Sequence, residues 1–405
     1  MTSFACCAES RGSLASPATS SATPDETTTM LWIPGPTEVR PELLAECARA
    51  AIGHRSPQMR ELIERLDPHL PWAFGLSAGS DAHVGVHSTS ASGLMEASLR
   101  GVGPRVLSVV NGAFSRRFFQ MAELLGKDVE RLDVAWGAGV EPAELAERLE
   151  RDGPFDAVTL VANETSTGVR TPLAPLANVL REHGRAMFLV DVVSLIAGAP
   201  VDFDAHGIDF AFAGVQKALA LPPGIAVCCA SDRYMAGARA LERGSWALDP
   251  VRILEGHAAR KTPATPCTPL YYGLARQLED ISAGVTLAPG TDAAPGAAAW
   301  GARFARHERM QARTASWASG HGLELFPAPR FASPTVSCVN AGSLDVGAVV
   351  SGLAAHGFSI SNGYGDLKGK TFRIGHMGDH TEKGLEELLA AADEVLEVVS
   401  VAGPR

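Results

Sequence analysis

Short apolar runs alternate with amphipathic segments over most of this 405-residue chain, and this alternation limits the possible folds more than any other feature. Two amphipathic segments, residues 142–152 and 172–183, begin at a proline and are followed by glycine, which predicts helices. Buried strands that alternate with helices predict a mostly parallel sheet, whose ligands bind beyond the carboxyl ends of its strands. The predicted strands are residues 106–110, 157–162, 186–193, 210–214 and 225–230.

The two ends of the chain differ from this middle part. Seventeen of the first 29 residues are Ser, Thr or Ala without an apolar period, so we expect residues 1–29 to be a disordered leader. Near the other end, leucines at helical spacing from Leu385 to Leu396 predict a final amphipathic helix. We therefore expect a large domain over residues 30–290 and a smaller α+β domain over 291–405.

Composition excludes several classes of protein. The net charge is −10 and no basic stripe is present, which argues against nucleic-acid binding. No run of about 18 apolar residues is present, so we expect no membrane span. The seven cysteines include two adjacent pairs, which disfavours a disulfide framework and favours a reducing, cytoplasmic compartment.

Lys217 is the first candidate for chemistry. The chain has only six lysines, and Lys217 is the only charged residue between positions 210 and 230. Burial would lower its pKa and make the amine a nucleophile suited to a Schiff base, although a lysine that reaches the surface from a strand end is the alternative. Asp191 ends a predicted strand, where it could pair with a protonated pyridine nitrogen or simply cap a helix.

An ordered set of motifs makes the prediction more specific. The chain contains, in order, WIPGPTEVRPELL, GHRSPQM, HSTSASGLMEASL, VVNGAFSRRF, NETSTGV, FLVDVVSLIAGAP, FAGVQKALALPPG, TPATP and FRIGHMGD. This set resembles the class V aminotransferases that depend on pyridoxal phosphate (PLP), and most of all the alanine–glyoxylate and serine–glyoxylate branch. The resemblance covers residues 30–380. It implies fold type I, with a mostly parallel seven-stranded sheet flanked by helices, and an N-terminal segment, residues 30–45, that reaches the active site.

The resemblance also implies the residues that hold PLP. Lys217 matches the lysine that binds the cofactor, and Asp191 matches the partner of the pyridine nitrogen. A phosphate loop is implied at Ser90, Ala91 and Ser92, before a helix expected near Gly93, because a helix N-terminus favours anions. The remaining cofactor residues implied by the resemblance are Phe114 against the ring, Thr165 at its phenolic oxygen, Gln216 beside it, and Thr265 at the phosphate of the neighbouring subunit's cofactor.

On the substrate side, the resemblance implies that Arg373 binds the carboxylate of an amino acid and that Gly35 leaves room for substrate. His54 and Arg55 are weaker candidates for the pocket mouth. A nucleotide loop in GYGDLKGKT is excluded by its glycine spacing. The run HMGDH suggests metal ligands, but we expect no metal, because the family pattern makes it a turn in which Asp379 could cap the last helix.

The sequence therefore predicts an aminotransferase that uses PLP on Lys217. The resemblance implies alanine or serine as donor, glyoxylate or pyruvate as acceptor, and a homodimer with shared sites. Several alternatives on the same scaffold stay open: a transaminase for an aminophosphonate or specialised amine, a lyase, or a desulfurase that would need a reactive cysteine such as Cys267. A non-catalytic relative is disfavoured, because Lys217 and Asp191 are both present.

Overall fold

The computed structural model describes residues 29–184 and 186–402. The expected leader therefore lies outside the described residues except for Thr29. The strands of the described part are β1 (Met30–Leu31), β2 (His83–His87), β3 (Arg105–Val110), β4 (Asp128–Asp133), β5 (Ala157–Val161), β6 (Asn163–Glu164), β7 (Val169–Arg170), β8 (Met187–Asp191), β9 (Phe210–Gly214), β10 (Ala226–Ala230), β11 (Val336–Asn340), β12 (Phe358–Ser359), β13 (Ser361–Asn362) and β14 (Thr371–Gly375).

The helices surround the strands and include the two expected over residues 142–152 and 172–183, the second of which begins one residue later than expected. They are α1 (Pro41–Cys47), α2 (Pro57–Glu64), α3 (Leu70–Phe74), α4 (Ala91–Arg100), α5 (Ala113–Leu124), α6 (Pro142–Asp152), α7 (Leu173–His183), α8 (Asp232–Arg239), α9 (Pro250–Ala258), α10 (Thr268–Ser282), α11 (Ala297–Gly320), α12 (Val346–Ala355) and α13 (Glu382–Ala402). No helix within residues 29–184 and 186–402 is both long and apolar enough to cross a bilayer.

A seven-stranded sheet forms the centre of the larger part of the molecule. Its order is β2-β10-β9-β8-β5-β3-β4, and only β10 runs antiparallel to its neighbours. Every residue of β5, β9 and β10 is buried, because helices cover both faces of the sheet. The predicted fold, a mostly parallel sheet flanked by helices, is confirmed.

A smaller three-stranded antiparallel sheet, β11-β14-β13, lies in the C-terminal part. Its core contains Trp317, Phe372 and the apolar face of α13. The N-terminal residues also join this core, because β1 pairs with β12 and Trp32 is fully buried there. Helix α11 connects the two parts: Trp300 packs in the core of the large sheet, and Trp317 packs in the smaller core.

The turn after β14 differs from one expectation. Asp379 does not cap α13. The hydroxyl of Thr381 accepts a hydrogen bond from the N–H of Gly384 and fills that role. The Asp379 carboxylate instead pairs with Arg303 and Arg40. A buried carboxylate needs a cationic partner more than it needs a helix end, so tertiary contacts decide its role.

Candidate active site

The carboxyl edge of the large sheet brings together the residues whose side chains could carry out chemistry. Strand β8 ends at Asp191, and β9 leads through two residues to Lys217. Strand β5 leads into Asn163 and Glu164, and β3 leads to the start of α5. Because these strands are parallel neighbours, their ends meet, as expected for a ligand site of an open α/β sheet.

Lys217 is buried, and its surroundings lower the pKa of its amine. Its side chain is 9% exposed, and Nζ donates a hydrogen bond to the carbonyl of Pro34. Burial and the nearby Arg373 lower the pKa of Lys217 to about 8, and Asp191 opposes this shift. An amine with this pKa is partly neutral near physiological pH, so it can act as nucleophile or base.

Gly35 makes room for this lysine. A Cβ atom at Gly35 would lie 2.5 Å from Cδ of Lys217 and 2.8 Å from its Nζ, and the φ angle of Gly35 is +100°. A side chain here would displace the amine in addition to straining the backbone. The N-terminal segment therefore contacts Lys217 directly.

Asp191 is buried without a cationic partner in hydrogen-bonding contact. Its carboxylate is 4% exposed, and within residues 29–184 and 186–402 its one hydrogen bond comes from the N–H of Val193, at 2.8 Å. Burial raises the pKa of Asp191 to about 7, with a further increase from Glu164 and opposition from Lys217 and Arg117. A carboxylate in this state can accept a strong hydrogen bond from a cationic ligand.

Glu164 was not predicted from the sequence, although it lies in the NETSTGV motif. It is fully buried, and its carboxylate accepts hydrogen bonds from the N–H groups of Phe114 and Ser115, at 3.1 and 2.9 Å, and from three donors on Ser115 and Ser166. It thereby binds the N-terminus of α5, which carries Phe114. A Cβ at Gly112 would lie 2.3 Å from Cγ of Glu164, so this contact requires glycine.

Phe114 lies where aromatic and cationic groups converge. Its ring stacks on Tyr364 with centroids 5.5 Å apart and an interplanar angle of 16°. The guanidinium of Arg117 lies 5.0 Å from the centre of the same ring. The glycine-rich loop between β13 and β14 thus covers this edge of the site through Tyr364, a residue that sequence reasoning missed.

Arg373 projects from β14 of the small sheet toward the large one. It is 7% exposed, and it donates to the carbonyls of Asn362, at 3.2 and 3.1 Å, and Thr165, at 3.2 Å. No carboxylate of the described chain pairs with it, and burial lowers its pKa. The backbone contacts hold the guanidinium in place and leave its charge for a carboxylate ligand.

The phosphate loop has the expected residues but an earlier helix start. Helix α4 begins at Ala91 rather than near Gly93, with Ser90 at the N-cap position. The side chain of Ser90 makes no capping hydrogen bond, and the first turn contains no acidic residue. The N-terminus of α4 is therefore open to an anion.

The other predicted residues are divided between two places. The hydroxyl of Thr165 donates to that of Ser194, at 2.8 Å, and the backbone carbonyl of Gln216 accepts from the N–H of Thr37, at 3.1 Å. Thr165 follows β5 and Gln216 follows β9, so both lie at the carboxyl edge of the large sheet. Thr265, His54 and Arg55 instead line a separate cavity of about 650 Å³ whose described lining does not include Lys217. The structure thus places Thr265 with His54 and Arg55, in a cavity whose described lining contains none of the predicted residues around Lys217.

The HMGDH run contains buried structural groups. His376 shares a hydrogen bond with the hydroxyl of Ser337, at 3.0 Å, and His380 with the carbonyl of Leu31, at 2.9 Å. Burial lowers the pKa of His376 to about 3 and that of His380 to about 4. No cluster of three or more His, Cys, Asp or Glu side chains in the described ranges is arranged to hold a metal ion.

Comparisons with known proteins agree with this geometry. Residues 107–286 match the family model described as aminotransferase class-V. The chain is 31% identical to an uncharacterized aminotransferase of Methanocaldococcus jannaschii over 371 residues, 91% of this chain and 92% of the relative. It is 30% identical to the L-aspartate–glyoxylate aminotransferase of Paracoccus denitrificans over 376 residues, 90% of each chain. A solved alanine–glyoxylate aminotransferase from Nostoc sp. superimposes with a TM-score of 0.82 at 27% identity, covering 91% of this chain and 95% of that one.

Proposed function

Because this chain belongs to the class V aminotransferases, which use pyridoxal phosphate, we propose that it transfers the amino group of a small amino acid, alanine or serine, to glyoxylate or pyruvate. The observation that carries this proposal is the position of Arg373. It is a buried cation without a carboxylate partner in the described chain, close enough to Lys217 to lower the pKa of that amine. A carboxylate on Arg373 would therefore place its own α-carbon near Nζ of Lys217.

The residues of the site fit the cofactor. Lys217 offers a buried amine to hold it covalently, Asp191 offers a carboxylate oxygen to the pyridine nitrogen, and α4 offers an open N-terminus to the phosphate. Phe114 would border the ring. When bound, pyridoxal phosphate supplies an electron-withdrawing ring that accepts the electron pair left at the substrate α-carbon after proton loss.

The chain's own residues would supply proton transfer and orientation. Nζ of Lys217, with its pKa lowered to about 8, would remove the proton from the substrate α-carbon and hold it for the next proton transfer, which does not go back to that carbon. Asp191 would keep the pyridine nitrogen protonated, because a carboxylate beside a cationic nitrogen stabilises its charge. Arg373 would hold the substrate carboxylate through two parallel N–H donors, which fixes the direction of the Cα–H bond.

The choice of substrates rests on chemistry and on similarity. An acceptor such as glyoxylate has one carboxylate, which the guanidinium of Arg373 would neutralise. Relatives at about 30% identity bear names that include glyoxylate with aspartate or with serine, so aspartate is the donor to test against alanine and serine. The desulfurase alternative gains no support from Cys267, which is half-buried at the start of α10 with its N–H bonded to Ser88.

The test is a half-reaction followed by absorbance. Purified protein with cofactor receives L-alanine, L-serine or L-aspartate separately, without a keto acid, and glyoxylate or pyruvate is added afterwards. We expect the visible cofactor band to disappear with alanine or serine and to return with the keto acid. Lys217→Ala should lack both the band shift and turnover. Full activity in Lys217→Ala would refute the mechanism, and a response to aspartate alone would refute the proposed donors.

We also propose a homodimer in the cytoplasm, with Thr265 contacting the cofactor of the neighbouring subunit. The support is that Thr265 lines a cavity together with several cationic side chains. The described lining of that cavity does not include Lys217. Mixing the inactive Lys217→Ala variant with an impaired Thr265→Ala variant should restore activity if subunits exchange and share sites. A monomer by light scattering, or no recovery after confirmed subunit exchange, would contradict this assembly.

A further inference from the structure

Two adjacent arginines on α5 have different surroundings. Arg116 forms an ion pair with Asp366, at 2.9 Å, and lies 5.1 Å from the ring of Trp136. Arg117 faces the other way: its Nη1 donates to the hydroxyl of Ser92, at 3.4 Å, and its guanidinium lies over Phe114. Among the residues that the structure describes, no carboxylate forms an ion pair with Arg117. This half-buried cation therefore has a charge that the protein itself does not neutralise.

The residue that Arg117 contacts belongs to the first turn of α4. This ten-residue helix has an uncapped N-terminus, with Ser90 in extended conformation and no acidic side chain in the first turn. The positive end of the helix and the guanidinium thus face one location that also contains the hydroxyls of Ser90 and Ser92. In a chain whose net charge is −10, such a convergence of positive groups without a carboxylate points to an anionic ligand.

The guanidinium of Arg117 also acts on Asp191. The charge of Arg117 opposes the rise in the pKa of Asp191 that burial causes. Its guanidinium lies between the ring of Phe114, 5.0 Å from the ring centre, and the hydroxyl of Ser92 in the first turn of α4, at 3.4 Å. A ligand that carries both an aromatic ring and an anionic group could contact Phe114, Asp191 and Arg117 together.

We propose that Arg117 is a ligand of the cofactor's phosphate group and completes, with Ser90 and Ser92, the cradle at the N-terminus of α4. Guanidinium groups bind phosphate oxygens through two planar N–H donors, and this supplies a full charge that hydroxyls and backbone N–H groups cannot. The assignment rests on pyridoxal phosphate as cofactor and is independent of the proposed donor and acceptor. Arg116, which already has a carboxylate partner, has no such role.

The experiment compares pyridoxal phosphate with pyridoxal, which has the same ring and aldehyde but no phosphate. Dissociation constants for both are measured on cofactor-free protein by absorbance and fluorescence titration, for wild type, Arg117→Gln, Arg117→Lys and the matched control Arg116→Gln. Truncating a hydrogen bond to a charged group costs about 1.5–3 kcal/mol, so Arg117→Gln should weaken pyridoxal phosphate about 10- to 100-fold. Pyridoxal binding should change less than about twofold, because its ring contacts remain.

Further readouts make the result decisive. Inorganic phosphate should raise the melting temperature of cofactor-free wild type and Arg116→Gln, and should do so less in Arg117→Gln. Arg117→Lys should bind pyridoxal phosphate with intermediate affinity, and it serves as the test variant if Arg117→Gln does not fold. An equal loss of affinity for both compounds would assign Arg117 to the ring through Phe114 and overturn the proposal. Unchanged affinity for pyridoxal phosphate would overturn it as well.

Discussion

Two clusters of polar and charged side chains lie largely buried in this molecule. The charges form ion pairs with each other in one cluster and do not in the other. The junction cluster consists of Arg40, Gln277, Asp280, Arg303 and Asp379, and it joins the N-terminal segment, α10, α11 and the turn after β14. The active-site cluster consists of Glu164, Asp191, Lys217 and Arg373. In the first cluster the cations and carboxylates contact each other directly, whereas in the second they do not form ion pairs in the described structure.

The junction cluster satisfies its own charges. Arg303 is fully buried and donates to Asp379, at 2.7 Å, and to the carbonyls of Ala197 and Ala218, at 2.9 and 2.6 Å. Arg40 contacts both Asp379, at 2.6 Å, and Asp280, at 2.8 Å. Burial alone would raise the pKa of Asp379, but Arg303 and Arg40 hold it below its usual value.

Under the proposed function, the active-site cluster leaves its charges for ligands. Burial raises the pKa of Asp191 to about 7, and no ion pair with a described residue offsets that burial. Among the residues that the structure describes, Arg373 likewise donates its hydrogen bonds to carbonyl groups and to no carboxylate. Two carboxylates with nearly the same burial thus have pKa shifts of opposite direction, and the difference is whether the protein or a ligand supplies the cation. Pairing, rather than burial, separates structural from functional charges here.

The largest effect should come from breaking the paired cluster with Asp379→Asn. This change leaves Arg303 buried with an uncompensated charge, and loss of one partner of a buried pair costs about 3–5 kcal/mol. Asp366→Asn is the control, because its ion pair with Arg116 is exposed and worth about 0–1 kcal/mol. Urea unfolding of the cofactor-free proteins measures both. Equal losses in the two variants would mean that the junction cluster does not stabilise the fold.

Asp191→Asn should leave the stability nearly unchanged and reduce turnover strongly. The amide can still accept from the N–H of Val193, so at pH 7.5 we expect the free energy of unfolding of cofactor-free protein to change by less than about 1 kcal/mol. Turnover should fall about 10²- to 10³-fold, as for removal of one preorganised electrostatic partner. Unfolding and steady-state kinetics on the same preparation test this split. A stability loss as large as that of Asp379→Asn would make Asp191 a structural residue.

The sequence predicted the centre of the fold better than its borders. Strands β5, β9 and β10 are buried on both faces and read as apolar runs in which Thr159 of β5 is the one polar side chain, so their pattern is sufficient. Strands β2 and β4 lie at the edges of the sheet and were not predicted. They contain His83 and Asp128 among other polar residues, and an edge strand needs neither a fully apolar run nor a covered second face.

Within the site, local motifs predicted the residues next to strand ends, but not those that depend on contacts distant in sequence. Tyr364 meets Phe114 only because a loop of the small sheet reaches the large one. Arg303 looks like an ordinary charge on an amphipathic helix, and its carboxylate partner is 76 residues away. Glu164 was overlooked for a different reason: its partners are mostly backbone N–H groups, which no sequence pattern displays.

A smaller change tests how closely the N-terminal segment fits Lys217. Gly35→Ala and Gly79→Ala both place a side chain at positive φ, +100° and +81°, which should cost about 1–3 kcal/mol of stability in each. Only Gly35 adds a clash, because nothing lies within 4 Å of a Cβ at Gly79. We therefore expect Gly35→Ala alone to reduce the visible absorbance of the bound cofactor. Normal absorbance in Gly35→Ala would show that Lys217 can move aside without losing the cofactor.

The smallest effect is the pH dependence of stability without cofactor, and it compares the two carboxylates directly. The pKa of Asp191 is raised in the folded protein to about 7, above its ordinary value of 3.8, so the folded state binds this proton more tightly than the unfolded state. Its contribution to stability is complete below pH 3.8 and is lost as pH rises through about 7. The pKa of Asp379 is lowered, so its contribution is present above pH 3.8 and is lost only in stronger acid.

Between pH 5 and 7.5, only Asp191 of these two should therefore change the free energy of unfolding. The buried His376 and His380, with pKa values of about 3 and 4, oppose this trend, because the unfolded chain takes up their protons as pH falls. Subtracting the profile of Asp191→Asn from that of wild type removes their contribution. We expect this difference to favour wild type progressively from pH 7.5 to pH 5. A flat difference would mean that Asp191 is already ionised without cofactor, stabilised by Lys217, and that the two clusters are paired alike.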